Sequence, residues 1–106
     1  MSMAAVIMCL VARVPDGTTL ICSDSTPIRI AGLETGAIVP KNAHRQLAAL
    51  TTGVTLSCLP AGNEGPFIVA KCTLPDRRDL ACALIDVKAA IRSDASWRRY
   101  GLEDCK

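Results

Sequence analysis

Two tight turn signals between short apolar runs confine the first third of this chain to a β meander. Val6 to Val14 is rich in β-branched and apolar residues and stops at Pro15-Asp16-Gly17. Thr18 to Ser23 reads as a second strand and turns at Asp24-Ser25. Pro27 to Leu33 reads as a third, with Ile28 and Ile30 on one face and Arg29 on the other.

Beyond Gly36 to Pro40 the pattern changes period. Asn42 is placed to cap a helix over Ala43 to Leu50, whose apolar face is Ala43, Leu47 and Leu50. Gly53 ends it, and Val54 to Leu59 alternates as a fourth strand. Pro60 to Gly65 reads as a loop and Phe67 to Cys72 as a fifth strand. The clearest helical period runs from Asp79 through Leu80, Ala83, Leu84, Val87 and Ile91. The polar tail from Ser93 is expected to dock through Trp97. This order fits a five-stranded OB-type barrel plugged by helices, and the periodicities alone fit a general α+β sheet equally well.

Size and composition narrow the choices. A chain of 106 residues makes one domain over residues 1–106, with a single core. One Phe, one Tyr and one Trp leave that core to Leu, Ile, Val, Ala and Met. A net charge of +2 neither argues for nor excludes a nucleic-acid partner. The apolar run Ala4 to Ala12 stops at Arg13, far short of a membrane span, so no membrane partner is expected. It also lacks the basic start of a signal peptide, which favours the cytoplasm. Six cysteines pull the other way, since three disulfides would suit a periplasmic or secreted chain whose leader had been removed. Buried free thiols are the alternative, and no cysteine spacing suits zinc.

Several segments together resemble the staphylococcal-nuclease-like (thermonuclease) family. Asp16-Gly17-Thr18-Thr19 is similar to its DGDT turn, and Thr26 to Ala37, TPIRIAGLETGA, to its RLxxxDxPE strand end. LAALTTGVTLSCLPAG resembles the helix that runs through a glycine into the fourth strand, and PFIVAKC a worn YGRxxAxC strand. Asp79 to Leu84 is similar to DLxCALV, and Trp97 to Tyr100 to a WPRY element. The resemblance implies an OB-fold barrel of five strands with two main helices, mainly β. Cys9, seven residues before Asp16, and Cys22 at the end of the second strand resemble the cysteine-bearing bacterial relatives in that family.

The family reaction is calcium-assisted phosphodiester hydrolysis, in which carboxylates hold the metal, arginines clamp the phosphate and a glutamate helps activate water. Carried over residue by residue, the resemblance implies a dismantled site. Asp16 stays, but the second aspartate of the turn falls on Thr18. The later metal-binding aspartate falls on Glu34, and Thr35 matches the threonine after it. The general base falls on Ala37, which has no proton acceptor. One phosphate arginine survives as Arg29, and the other falls on Phe67. Losing one electrostatic donor typically costs about 10²- to 10³-fold in rate, and metal ligation, clamp and base are lost here together. No catalytic residue and no cofactor are therefore expected, calcium excepted if Asp16, Thr18 and Glu34 improvise a site.

The other polar groups have plain structural readings. Arg29 and Glu34 are expected to form a partly buried ion pair, with a vestigial phosphate or anion pocket as the alternative. His44, the lone histidine, is expected at the surface. Arg98, Arg99 and Tyr100 beside Trp97 form a basic-aromatic cluster suited to bases or to a protein hot spot. The function expected is a catalytically inactive module that binds a protein or its own copy. A non-cleaving nucleic-acid binder and a weak calcium-dependent nuclease are the alternatives. With the resemblance, Cys9 and Cys22 fall on neighbouring strands across the Pro15-Asp16-Gly17 hairpin and are expected to pair. Cys72 and Cys82 are expected as a second pair, leaving Cys58 and Cys105 as a third that anchors the tail.

Overall fold

Alternation along the first strand builds one wall of the molecule. In the computed structural model, which describes residues 5–105, strand β1 (Ile7–Asp16) buries Cys9, Val11 and Val14 and turns Met8, Leu10 and Ala12 outward. It pairs antiparallel with β2 (Thr19–Cys22), and two register shifts between them let the ribbon coil. β2 pairs with β3 (Pro27–Ile30), which completes the meander. After helix α1 (Ala43–Thr51), strands β4 (Thr55–Glu64) and β5 (Phe67–Thr73) form a hairpin. β5 runs parallel to β3, and β4 returns to β1, so the order β1-β2-β3-β5-β4 closes into a barrel. This is an OB-type barrel, mainly β with helices, in which every strand has a hydrogen-bonded neighbour on both sides.

The interior is aliphatic, as the shortage of aromatics requires. Leu20, Ile28, Leu47, Leu56, Leu80 and Leu84 are fully buried within one core cluster. α1 contributes Leu47, and Thr51 inside the same helix satisfies its hydroxyl on the Leu47 carbonyl at 2.7 Å. α2 (Leu80–Asp86) contributes Leu80 and Leu84, and its cap is Asp79, whose carboxylate accepts from the Cys82 N–H at 3.0 Å.

Several expectations need correction. Asn42 precedes α1 but makes no side-chain cap hydrogen bond. β4 does not stop at Leu59; a bulge between Pro60 and Gly62 absorbs the missing Pro donor, and pairing continues to Glu64↔Phe67. The last long helical period breaks early, because Lys88 enters the left-handed region at φ 60°. Ala89 N–H then reaches back to the Leu84 carbonyl and Lys88 N–H to that of Ile85, a Schellman closure. Val87 and Ile91 therefore lie exposed instead of extending the apolar face. A third helix, α3 (Asp94–Tyr100), stands where a docked tail was expected, capped by the Ser93 hydroxyl on Ser96 N–H at 3.1 Å. Its Trp97 is 5% exposed and does dock the segment on the barrel.

The cysteines all pair, but only one pair is as expected. Cys9–Cys22 joins β1 to β2. Cys58 and Cys72 are direct register partners on β4 and β5, with Cα atoms 4.0 Å apart, so they bond to each other. Cys72 points into the barrel and is closed off from Cys82, which is only half-buried on α2 and pairs with Cys105 in the tail. No helix among the described residues is long and apolar enough to cross a membrane.

Candidate functional site

The chain leaving β3 is fastened to the start of α3, and this fastening shapes the site. Gly32 N–H donates to Ser96 Oγ at 2.9 Å, and Ser93 N–H to the Gly32 carbonyl at 2.8 Å. Glu34 N–H donates to the Ile91 carbonyl at 2.8 Å. Only glycine suits position 32, where φ is +93° and an added Cβ would lie 2.7 Å from the Trp97 ring. The result is a cleft of about 180 Å³ between the end of β3, the β4–β5 hairpin and α3. Arg29, Glu34 and Thr35 line it from one side, Glu64 from the hairpin, and Arg99 and Tyr100 from α3.

Arg29 sits at the centre of what the resemblance marked. Its guanidinium lies over the Phe67 ring, 4.3 Å from the centroid, so the residue at the second arginine's place covers the first. Arg29 Nε is buried without a hydrogen-bond partner. Arg29 and Glu34 share the cleft, yet among the described residues they form no ion pair within bonding distance, which corrects the expected pairing. Arg29 stacks on Phe67 instead.

Asp16 and Thr18 stand at the β1–β2 turn, outside the cleft lining, with Arg29 near enough for its charge to act on Asp16. The Asp16 carboxylate accepts from Thr18 N–H at 2.8 Å and from the Thr18 hydroxyl at 3.1 Å. Partial burial pushes the Asp16 carboxyl up, but the Thr18 amide, the Thr19 and Thr18 hydroxyls and the Arg29 charge outweigh it and hold it below its ordinary value. Thr19 Oγ1 is itself buried without a well-formed hydrogen bond, so its help is weaker than that of Thr18. Because the folded value lies below the unfolded one, the stabilisation is complete above the ordinary carboxylate value and disappears as pH falls through the folded one. Asp16→Asn should therefore flatten the acid limb: the Tm advantage of wild type over Asp16→Asn shrinks as pH falls below about 4. Parallel Tm curves for the two proteins over that range would contradict this.

The remaining expected positions are dispersed. Ala37 lies exposed on a 3₁₀ turn (Gly36–Ile38) and does not line the cleft. His44 is exposed, as expected, and its Nε2 contacts the Val14 carbonyl at 2.6 Å. Calcium takes six to eight oxygen ligands, several of them carboxylates. Here the Thr18 hydroxyl is spent as a donor to Asp16, and no three His, Cys, Asp or Glu side chains gather among the described residues. This donor set does not fit calcium.

Glu64, Ser96, Arg99 and Tyr100 were not anticipated in this cleft. Arg99 and Tyr100 stood out as a basic-aromatic pair, but their distance from Arg29 depended on where α3 docks. Tyr100 is seated by Gly62, where an added Cβ would lie 2.8 Å from its ring. The chain matches no protein-family model, and no curated protein matches it significantly.

Proposed function

We propose that the chain is a catalytically inactive thermonuclease-like module that acts by binding a protein partner. The observation carrying this reading is the Phe67 ring over Arg29 at 4.3 Å, which places an apolar group where a nuclease needs a second phosphate clamp. The absent acceptor at Ala37 and the unsuitable donor set around Asp16 agree with it.

The partner's place is the outer wall formed by β1 and β4. Met8, Leu10 and Leu59 are exposed there, Met8 to 65%; the facing Thr55 and Ser57 carry no charge, and Lys71 opposite Leu59 is paired with Asp79 at 3.4 Å. Apolar patches rimmed by polar residues mark protein interfaces. Isolated natively from the cells that make it, the protein should elute well above its monomer mass. Met8→Asp combined with Leu59→Asp should return it to monomer mass with the circular dichroism of the barrel intact. Wild-type protein that elutes as a lone monomer would contradict the reading.

A nucleic-acid-binding reading has one observation in its favour, the presence of Arg29, Arg99 and Tyr100 around a single cleft. Titration with single- and double-stranded oligonucleotides at two salt concentrations tests it. Binding that is absent at low salt, where phosphate contacts are strongest, removes it.

A further inference from the structure

We propose that the Cys82–Cys105 disulfide is a redox-operated latch that holds the C-terminal segment as one wall of a second cavity, beside α2. The three disulfides differ in access. Cys9, Cys22, Cys58 and Cys72 are 0%, 3%, 0% and 1% exposed inside the barrel. Exchange requires a thiolate to reach a sulfur directly, so those two bonds open only when the barrel opens. Cys82 is half-buried and Cys105 is exposed, so the third bond can be reached in the folded protein.

Little else holds the segment it closes. Gly101 ends α3 in the left-handed region, and Leu102 N–H returns to the Trp97 carbonyl at 3.1 Å. Beyond Leu102, residues 103–105 have no regular structure and, among the described residues, donate no backbone hydrogen bond. Their other tie is the Arg92–Asp104 ion pair at 3.3 Å, exposed on both sides and therefore weak. The same residues bound a cavity of about 550 Å³. Glu103, Asp104 and Cys105 line it together with Arg77, Arg78 and Cys82.

The chemistry balances with a dithiol reductant. One thiolate attacks a sulfur of the Cys82–Cys105 bond, and the other sulfur leaves as thiolate and takes a proton. The reductant's second thiol then displaces the remaining cysteine, so two electrons and two protons pass to this chain as the dithiol closes to its own disulfide. The acidic wall is released after Leu102, the cavity opens to solvent and a thiol is left on α2. The barrel stays locked by its two buried bonds.

Stepwise reduction of the full chain by a dithiol, with alkylation and non-reducing peptide mapping, tests the latch. Cys82 and Cys105 should be alkylated together at reductant concentrations at least about tenfold below those that open the other pairs, in proportion to access. At that step circular dichroism should be unchanged while the backbone NMR order parameters of residues 103–105 fall. Cys105→Ser should show the same low order parameters at residues 103–105 without reductant. Simultaneous opening of all three bonds, or unchanged order parameters over residues 103–105 in either experiment, would overturn the proposal.

Discussion

Gly32→Ala is expected to destabilise the protein by about 3 kcal/mol, from backbone strain added to overpacking. The strain arises because φ is +93° at Gly32, a region that side chains with a Cβ rarely adopt. The overpacking arises because the new methyl would sit 2.7 and 2.8 Å from two Trp97 ring atoms and 3.0 Å from Leu102. Trp97 is 5% exposed and also lies under Arg92 at 4.2 Å, so the ring has little freedom to retreat. Displacing it would loosen the Gly32–Ser96 and Ser93–Gly32 hydrogen bonds that hold α3 against the cleft. For a domain of this size the Tm should fall by roughly 10 to 20 °C. A shift of less than about 3 °C would mean that α3 is not anchored in this way.

Cys58→Ala with Cys72→Ala should cost a similar amount, about 3 kcal/mol, read as a lower urea midpoint. The bond closes a loop with a sequence separation of 14, and both cysteines are essentially fully buried. Freed of the bond, the unfolded chain regains loop entropy while the folded barrel gains none, because the β4–β5 pairing persists on either side. Cys82→Ser with Cys105→Ser is the instructive contrast. Its separation of 23 would predict a larger loss from loop length alone. Yet residues 103–105 are held by little else, so the folded state also gains freedom on release, and the expected loss is smaller. A greater loss from the Cys82–Cys105 pair than from the Cys58–Cys72 pair would contradict this order.

How much of this was legible in the chain depended on whether local or non-local forces decided it. The meander was legible because Pro15-Asp16-Gly17 and Asp24-Ser25 punctuate alternating apolar runs; the Cys9–Cys22 pair was expected only through the resemblance, which put the two cysteines on neighbouring strands across that turn. β4 was cut short because Pro60 and Gly62 read as loop residues, and only pairing with β5 through a bulge keeps them in a strand. The α2 period was too long on paper, because Val87 and Ile91 keep the spacing while Lys88, without a glycine to announce it, takes the left-handed turn.

The site divided along the same line. Arg29, Glu34 and Thr35 were legible as neighbours because one strand end and its turn carry them into the cleft. Phe67 was put in the same pocket as Arg29 only by the resemblance, since the residues alone do not reveal the parallel β3–β5 pairing that brings these distant segments together. Arg99 and Tyr100 were not legible there, because their place depends on Trp97 finding the glycine at position 32 and Tyr100 the one at position 62. The remaining disulfides failed to be read for this reason too: Cys58–Cys72 is a statement about register, which spacing alone does not fix.

Hydrolysis of a fluorogenic oligonucleotide, DNA and RNA in turn, with calcium added or chelated, tests the central claim most directly. The claim is that position 37 offers no base, that Phe67 occupies the second clamp, and that Asp16 and Thr18 satisfy each other instead of a metal. The predicted result is no cleavage above the buffer rate at any calcium concentration. Cleavage that rises with calcium, vanishes with chelator and is lost in Arg29→Ala would contradict the account.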